Sequence, residues 1–290
     1  MRRKRMKNNI AVRHASKKYT NFTLKDISFE VPCGTIVGLI GENGAGKTTL
    51  IKSILNIIHL DQGEIELLGE KNQAVLQGRE EIGVVLDGSF FAETLKVKDI
   101  NLIMQNLYKN WDAMLFFQYL QDFQIPVTQT IKTLSKGMRK KVEIFTALAH
   151  HPKVLILDEP TSGLDPVVRT EILDLFLEFI QEEDHSILLS THITSDLEHI
   201  ADYIVFVDQG ELIFSKTRDE LLENYGILRC DQEFFDQLEA TEIIRFKKNR
   251  YNYDVLVSEK RKLKKKYPTA VIDAATIEDI MVLYIKGGRK

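Results

Sequence analysis

The hydrophobic positions near the start of the chain follow two spacings. Alternation of apolar and polar residues over Ile10–Lys17 and Leu24–Val31 predicts two antiparallel strands. The unbroken apolar run Thr35–Ile40 predicts a buried strand, and helical spacing over Lys47–Ile58 predicts a helix shortly after it. Two further strands are predicted at Glu64–Leu68 and Ile82–Leu86.

The spacing becomes helical after Gly88. Apolar residues recur at helical intervals over Lys96–Lys109 and Trp111–Gln124, and no strand pattern returns before Val154. We therefore interpret residues 88–150 as a helical insertion. Beyond it, strands and helices alternate, which favours a largely parallel sheet. These elements are predicted at Val154–Leu157, Val167–Glu182, Ser186–Ser190, Ser195–His199, Tyr203–Val207, Glu211–Phe214 and Arg218–Asn224.

A different pattern begins at about residue 226. It predicts a hairpin from Thr241–Phe246 and Tyr251–Val257, a basic helix, a strand at Thr269–Ile272 and a final helix at Thr276–Ile285. We therefore divide the chain into a basic leader at residues 1–8, a main domain at 9–225 and an accessory domain at 226–290.

Composition narrows the class of protein. The chain is 44% hydrophobic and 28% charged with a net charge of −3, so bulk charge does not point to a nucleic-acid partner. The two cysteines, Cys33 and Cys230, lie far apart and indicate a reduced, cytosolic protein without a cysteine metal site. No apolar run approaches the roughly 18–20 residues that span a bilayer.

The leader MRRKRMK has no apolar segment after it, so it does not match a signal peptide. Two interpretations remain for it. It is either a frayed terminus, with Met6 as an alternative start, or a weak anchor to anionic lipid.

A glycine cluster supplies the first candidate chemistry. The pattern G-x-x-x-x-G-K-T runs from Gly41 to Thr48 between a predicted strand and helix. Backbone N–H groups can surround a phosphate where no Cβ blocks its approach, Lys47 can reach the β and γ oxygens, and Thr48 can hold Mg²⁺. A glycine-rich turn of an unrelated α/β fold is the alternative. The expected nucleotide contacts are Gly41, Asn43, Gly44, Ala45, Gly46, Lys47, Thr48 and Thr49.

A second motif places two carboxylates at a strand end. In VLILDEP, four apolar residues precede Asp158 and Glu159. The carboxyl end of a buried strand is where open α/β sheets bind ligands. Asp158 can hold Mg²⁺ through water, and Glu159 can polarise a water for attack on the γ-phosphorus. An ordinary strand that ends in solvated acids is the alternative.

The order of these motifs resembles one family. GENGAGKTT, LSKGM, LILDEP, TSGLD and LLSTH follow each other as in the nucleotide-binding subunits of ATP-binding cassette (ABC) transporters, over about residues 8–215. The resemblance implies an α/β P-loop ATPase fold with a mixed, mainly parallel sheet, an antiparallel β subdomain and a helical insertion, followed by a small α+β C-terminal unit. It also implies an ATPase with ATP and Mg²⁺ as cofactors and a homodimer that encloses two ATP molecules.

The family signature corresponds here to Leu134–Met138. Ser135 and Gly137 match it, and the resemblance implies that they contact the γ-phosphate bound by the opposite subunit. Lys136 and Met138 depart from the usual Gly and Gln. Ser135 can also serve as the N-cap of the helix that follows.

Other residues carry over individually. His192 resembles the switch histidine at the γ-phosphate, so with Lys47 and Glu159 it completes the expected catalytic set. Tyr19 resembles the aromatic that stacks on adenine; an ordinary half-buried strand-end tyrosine is the alternative. Ser162–Asp165 resembles the loop that crosses the dimer, where Asp165 can also cap a helix.

One residue departs from the family pattern at a position near the metal. Asp87 occupies the place of the usual Gln, and we hypothesise that it binds metal-bound water.

Finer features resemble ABC-2-type bacterial exporters. The YKNWD segment, Asp87 and the short C-terminal unit are similar to exporters of antimicrobial or cytolytic peptides such as phenol-soluble modulins. This implies a separate integral membrane permease and a position on the cytoplasmic face of the membrane, or in the cytoplasm when unassembled. Phe90, Phe91 and Trp111 are either permease contacts or core of the insertion.

Two alternative functions fit the sequence less well. A soluble ABC ATPase of the ribosome or DNA is disfavoured by the single cassette and the absence of heptads. An adapter that binds ATP without hydrolysis is disfavoured because Lys47, Asp158, Glu159 and His192 are all present. The basic helix Glu259–Lys266 is either a solvated face or a contact for anionic headgroups. The sequence thus predicts an ATPase subunit that powers export.

Overall fold

The computed structural model describes residues 7–72, 78–88 and 90–290. Residues 1–6 of the leader predicted at residues 1–8 lie outside these residues. The described chain forms a ten-stranded sheet and a separate four-stranded sheet, with helices packed around both.

The large sheet has an antiparallel side and a mainly parallel side. Its order is β5-β4-β1-β2-β10-β9-β3-β8-β7-β6, and β1 pairs antiparallel with both β2 and β4. From β9 to β6 the neighbours are parallel, as the alternation of strands and helices predicts. The strands are β1 Asn8–Lys18, β2 Thr23–Pro32, β3 Thr35–Ile40, β4 Gln62–Leu67, β5 Glu70–Lys71, β6 Ile82–Val85, β7 Val154–Asp158, β8 Ser186–Thr191, β9 Tyr203–Asp208 and β10 Glu211–Thr217.

Helices cover both faces of the central strands, so these strands are buried on both sides. Every residue of β7 and β8 is buried, which explains their continuous apolar runs. The helices of this part are α1 Lys47–Ile54, α2 Val97–Leu107, α3 Ala113–Asp122, α4 Lys136–Leu148, α5 Pro166–Phe179, α6 Thr194–Ile200 and α7 Arg218–Asn224. The fold is a mixed α/β fold with a mainly parallel sheet and an antiparallel side, as predicted.

The segment predicted as a helical insertion contains α2, α3 and α4 around a core of its own. Phe116, Leu120 and Phe145 are fully buried there. The Asp112 carboxylate accepts a hydrogen bond from the Leu115 N–H and caps α3. This shared core packs the three helices against one another.

The C-terminal unit, residues 226–290, contains the antiparallel sheet β12-β13-β11-β14. Its elements are β11 Gly226–Cys230, α8 Gln232–Gln237, β12 Arg245–Lys248, β13 Tyr253–Val257, α9 Lys260–Lys266, β14 Val271–Ala274 and α10 Ile277–Lys286. One core cluster joins Ile277 and Ile280 of α10 to Leu197 and Phe206 of the large-sheet part. The unit is therefore packed onto the large-sheet part and shares its core.

Several predicted boundaries are wrong. Helix α1 ends at Ile54, because Asn56 adopts a left-handed conformation that a helix cannot continue through. The C-terminal hairpin turns at Asn249–Asn252, two residues beyond the predicted turn. Strand β14 covers Val271–Ala274 instead of Thr269–Ile272.

Both cysteines are free thiols. Within the described ranges 7–72, 78–88 and 90–290, we find no helix with the length and apolar character that crossing a bilayer requires.

Candidate functional site

Four neighbouring parallel strands end at one edge of the large sheet. β3, β8, β7 and β6 lie side by side, so their carboxyl ends meet. The phosphate loop follows β3, His192 follows β8, Asp158 and Glu159 close β7, and Asp87 follows β6. This strand order brings together motifs that are more than a hundred residues apart in sequence, such as Thr48 and Asp158. Ligands of open α/β sheets bind at such an edge.

The phosphate loop requires glycine at two positions for steric reasons. A Cβ on Gly41 would lie 2.2 Å from the Val207 carbonyl oxygen. Gly46 has a φ of +113°, and a Cβ there would lie 2.8 Å from Cζ of Phe22. A side chain at Gly41 would collide with β9 and one at Gly46 would collide with Phe22, so glycine lets the loop keep the backbone shape from which N–H groups can point at an anion.

Lys47 is the first residue of α1 and is only 6% exposed. Its Nζ donates to the carbonyl oxygens of Gly41 at 2.8 Å and Glu42 at 3.3 Å. The same Nζ lies 3.6 Å from Oε1 of Glu159. The buried ammonium group is therefore held inside the loop and beside a carboxylate, as a buried charge requires.

Asp158 joins the phosphate loop to β8. It is 1% exposed, its Oδ2 accepts from the Thr48 hydroxyl at 2.8 Å, and its Oδ1 accepts from the Ser190 hydroxyl at 2.5 Å. These two bonds fix both carboxylate oxygens in a buried position. Sequence reasoning missed Ser190; the signal was a polar residue at the end of the apolar run of β8.

Glu159 has a strained backbone and an aligned side chain. Its φ is +50°, a left-handed value that is uncommon for a residue with a Cβ and that concentrates at functional sites. Its backbone N–H donates to the Ser190 carbonyl oxygen at 3.1 Å. Its Oε2 lies 2.8 Å from Nδ1 of His192. The half-exposed imidazole thus contacts a carboxylate that is itself mostly buried.

A cavity of about 620 Å³ opens over this edge. Tyr19, which is 40% exposed, lies on its wall, as does Asp87. Sequence reasoning did not assign Asn21 or Glu42 to the site, although both contribute to the wall. Glu42 occupies a variable position of the phosphate-loop pattern, and Asn21 belongs to no motif. The predicted residues on the wall are Tyr19, Asn43, Gly44, Gly46, Lys47, Thr48, Thr49, Asp87 and Glu159.

Other predicted residues lie elsewhere. Gly41 and Ala45 lie behind the loop and support it through backbone contacts. Ser135 and Gly137 are at the start of α4 and do not line the cavity of their own chain. The Ser135 hydroxyl accepts from the Met138 N–H at 3.2 Å, so the predicted N-cap is present.

The loop after β7 leads to a second capped helix. The Asp165 carboxylate accepts from the Val168 N–H at 3.1 Å and caps α5, with Pro166 at the first helical position. A Cβ on Gly137 would lie 3.1 Å from Val168 of α5, so the starts of α4 and α5 are closely packed.

These residues provide three kinds of group at one edge of the sheet. Backbone N–H groups and the Lys47 ammonium suit a phosphate chain. The Thr48 hydroxyl and the Asp158 carboxylate are oxygen donors of the kind that Mg²⁺ prefers. The contact between Glu159 and His192 suits the positioning of a water and the handling of its proton. The edge has the chemistry expected of a nucleoside triphosphatase.

Comparison with known proteins agrees with this geometry. A family model described as ABC transporter matches residues 24–162. The ABC transporter ATP-binding protein YtrB of Bacillus subtilis is 32% identical over 217 residues, which are 74% of each chain. This chain belongs to the ABC transporter ATP-binding family.

One further relative and one solved structure are similar to this ABC ATPase. The bacitracin transport ATP-binding protein BcrA of Bacillus licheniformis is 33% identical over 193 residues, covering 64% of this chain and 62% of BcrA. A solved structure of the ATP-binding subunit of an ABC transporter aligns with a TM-score of 0.67 and 28% identity, covering 74% of this chain and 92% of that subunit. As a member of the family, the chain binds ATP and is an ATPase whose activity is coupled to transport.

Proposed function

We propose that this ABC ATPase powers export of a peptide through a separate membrane permease, by forming a homodimer on binding ATP. The observation that carries the catalytic part of the proposal is the contact of Glu159 with both Lys47 and His192, at 3.6 Å and 2.8 Å. Lys47 would bind the β and γ phosphates, Glu159 would act as general base, and His192 would hold Glu159 and contact the γ-phosphate.

We infer that Mg²⁺ accompanies the nucleotide. The Thr48 hydroxyl and the Asp158 carboxylate, 2.8 Å apart, fit an ion that keeps most of its ligands from phosphate and water. When bound, the ion would neutralise charge on the phosphates. Asp87 lies on the same wall and would reach the ion only through water, as hypothesised from the sequence.

The dimer is inferred from residues that do not line the cavity of their own chain. Ser135 is exposed at the N-terminus of the 13-residue helix α4. Free N–H groups at such a helix start attract anions. In a homodimer, Ser135 and Gly137 would meet the γ-phosphate of the opposite nucleotide, and Ser162–Asp165 would cross between the two sites.

An apolar groove supports the proposed permease contact. A cavity of about 250 Å³ lies between the large sheet and the helical segment, and Phe90 on its wall is 54% exposed. Exposed aromatics that line an apolar concavity are typical anchors of an interface. The other apolar wall residues are Ile54, Leu55, Ile57, Leu67, Ile82, Val84, Leu86 and Tyr108.

The three aromatics predicted for this role differ. Trp111 packs on Phe116 with ring centroids 5.2 Å apart and donates from Nε1 to the Asn101 side chain at 2.8 Å. Phe91 packs against the same helical core. We therefore assign Phe90 to the permease surface, and we assign Trp111 and Phe91 to the core of the helical segment.

The remaining parts of the proposal concern organisation, location and cargo. We propose an ATPase domain at residues 9–225, an accessory domain at 226–290, and a position on the cytoplasmic face of the membrane through the permease. The peptide cargo and the ABC-2 type are supported by the resemblance of residues 88–125 to such exporters and by the relative named for bacitracin transport.

Nucleotide binding and dimerisation test the first part of the proposal. We expect the purified chain to bind Mg-ATP in calorimetric titration and the Glu159→Gln variant to sediment as a dimer with ATP. Lys47→Ala should lose binding by at least about 100-fold, because a buried charge-assisted contact to phosphate is removed. A monomer at saturating ATP in the Glu159 variant would contradict the dimer.

Co-purification tests the permease contact. The chain would be expressed with the membrane protein encoded beside it, and ATPase activity would be measured with candidate peptides. Phe90→Ala should reduce recovery of the complex without lowering the melting temperature. Tyr251→Ala is the matched control, since Tyr251 is 81% exposed on the C-terminal unit, away from the groove. Equal recovery with both variants would reject the groove as the permease surface.

A further inference from the structure

Helix α6 connects the catalytic edge to the C-terminal unit. It begins at Thr194, two residues after His192, and ends at Ile200. Leu197 and Ile200 on this helix belong to the same buried cluster as Ile277 and Ile280 of α10. Any movement of α6 therefore involves both the histidine at its start and the C-terminal helix packed against it.

One polar contact fixes α10 against α6. Oε1 of Glu198 accepts a hydrogen bond from the backbone N–H of Ile277 at 2.6 Å. Ile277 is the first residue of α10, where an N–H has no partner within the helix. The Thr276 and Asp279 side chains cap the same helix internally, so Glu198 is the group that joins it to another element at this N–H. A carboxylate is favourable there because it faces the positive end of the helix dipole.

The start of α6 is hydrogen-bonded to the segment that follows β7 and contains Glu159. Asp196, only 3% exposed, accepts from the Thr161 hydroxyl at 2.7 Å, and its other oxygen lies 3.9 Å from Nε of Arg169 on α5. Thr161 follows Glu159 by two residues. The helix is therefore bonded at one point to the segment that carries the proposed general base and at another to the C-terminal unit.

We propose that Glu198 is a positioning residue for ATP hydrolysis. Through it, the C-terminal unit fixes α6, and α6 fixes His192 against Glu159. The proposal rests on the proposed roles of Glu159 and His192, and it assigns to the C-terminal unit control over the catalytic pair. A displacement of α10 would change the rate of hydrolysis, while nucleotide affinity, set by the phosphate loop and its own contacts with Lys47, would stay the same.

Three variants of Glu198 test this role in the full-length chain. Glu198→Ala removes the acceptor, and we expect a fall in kcat of about tenfold with the Kd for Mg-ATP within about twofold of wild type. Glu198→Gln keeps an oxygen that can accept from the Ile277 N–H and should recover most of the rate. Glu198→Asp keeps the charge on a shorter side chain, so it remains informative if the alanine variant folds poorly.

Asp279→Ala is the matched control. Asp279 caps α10 from within, with its N–H and carboxylate both bonded to Thr276, and it makes no bond to α6. Its loss should lower the melting temperature as the loss of a helix cap does, but should leave kcat unchanged. Hydrogen exchange at the α6 amides should rise in Glu198→Ala and not in Asp279→Ala.

The outcomes separate this proposal from the proposed function. Unchanged kcat and unchanged α6 exchange in Glu198→Ala would overturn the positioning role. An equal fall of kcat in Asp279→Ala would also overturn it, because it would attribute the effect to general stability of α10. Retained hydrolysis in Glu159→Gln would instead reject the proposed mechanism itself, whatever the result for Glu198.

Discussion

The carboxyl edge of the large sheet and the C-terminal unit bury different kinds of residue. At the edge, seven buried residues are polar or charged: Lys47, Asp158, Thr161, Ser190, Thr191, Thr194 and Asp196. Among the described residues of the C-terminal unit, every buried side chain is aliphatic or aromatic. Burial of a polar group costs stability unless each partner is in place. The edge therefore needs a partner for each buried polar group, whereas the C-terminal unit does not. This difference is the one expected between a catalytic region and a region that stabilises the fold.

Charge in the C-terminal unit stays at its surface and is largely matched there. Helix α9 and the residue before it were predicted as either a solvated face or a contact for anionic headgroups. Five of the six cations contact oxygens of this chain: Lys260, Arg261, Lys262, Lys264 and Lys266. Surface ion pairs contribute only about 0–1 kcal/mol each. These contacts favour a solvated surface helix over a headgroup site.

The sharpest test of the comparison is Glu159→Gln at the catalytic edge. We expect the rate of ATP hydrolysis to fall by roughly 10²–10⁴, because the proposed general base is removed. Binding of Mg-ATP should persist, since the phosphate loop is unchanged. Steady-state phosphate release and equilibrium titration measure the two effects. Near-wild-type turnover would show that this edge does not act as proposed.

A matched change in the C-terminal unit should affect stability instead. Phe235 is 6% exposed and stacks on Tyr253 with ring centroids 4.1 Å apart. Phe235→Ala should lower the free energy of unfolding by about 3–5 kcal/mol, because it leaves a cavity in the core. Affinity for Mg-ATP should not change below the melting transition. A large loss of affinity without a loss of stability would break the contrast between the two regions.

Asp87 tests the outer part of the edge. If its carboxylate holds metal-bound water, Asp87→Asn should lower ATP hydrolysis by about three- to tenfold through loss of a charge-assisted hydrogen bond. The effect should depend on Mg²⁺ concentration. Hydrolysis and permease stimulation that both match wild type would remove Asp87 from the site.

His150 tests whether polar burial alone marks function. Its ring stacks on Tyr108, its Nδ1 contacts the Glu80 carbonyl oxygen at 2.8 Å, and burial lowers its pKa. The unfolded chain therefore binds the proton more readily, and stability should fall as the pH drops below about 6.5. The expected loss is about 1.4 kcal/mol for each unit of pKa difference.

His150→Gln should remove that acid-dependent loss while leaving hydrolysis unchanged. Urea unfolding at pH 7.5 and 5.5 provides the measurement. Neighbouring His151 and Glu80 also act on this ring, so both are kept in the variant. An identical pH dependence in the two proteins would refute the effect.

Local sequence predicts the phosphate loop, its strand and its helix, because the glycine spacing and the apolar run lie within a few residues of each other. The meeting of Asp158, Glu159 and His192 depends on the order of β7 and β8, which the motif order supports only through the family resemblance. The catalytic and metal roles of these residues remain predictions. Their convergence in space is what the structure adds.

Features that depend on distant partners could not be predicted. The hydroxyl of Ser190 contacts Asp158 across 32 residues, and Glu198 contacts Ile277 across 79 residues. Local sequence marks Ser190 as a polar strand end, but it identifies the partner of neither residue. Strand β11 was missed because its short sequence, GILRC, does not alternate clearly. The early end of α1 depends on a left-handed Asn56, which helical spacing does not reveal.

The shared core beneath α10 restricts how this protein can be re-engineered. Truncation after α7 would expose Leu197, Phe206 and Phe214, which now pack together with Ile277, Ile280 and Tyr284. A shortened chain would therefore expose a hydrophobic patch to solvent and would be prone to aggregate. Chimaeras that exchange C-terminal units between homologues would have to transplant α6 with them.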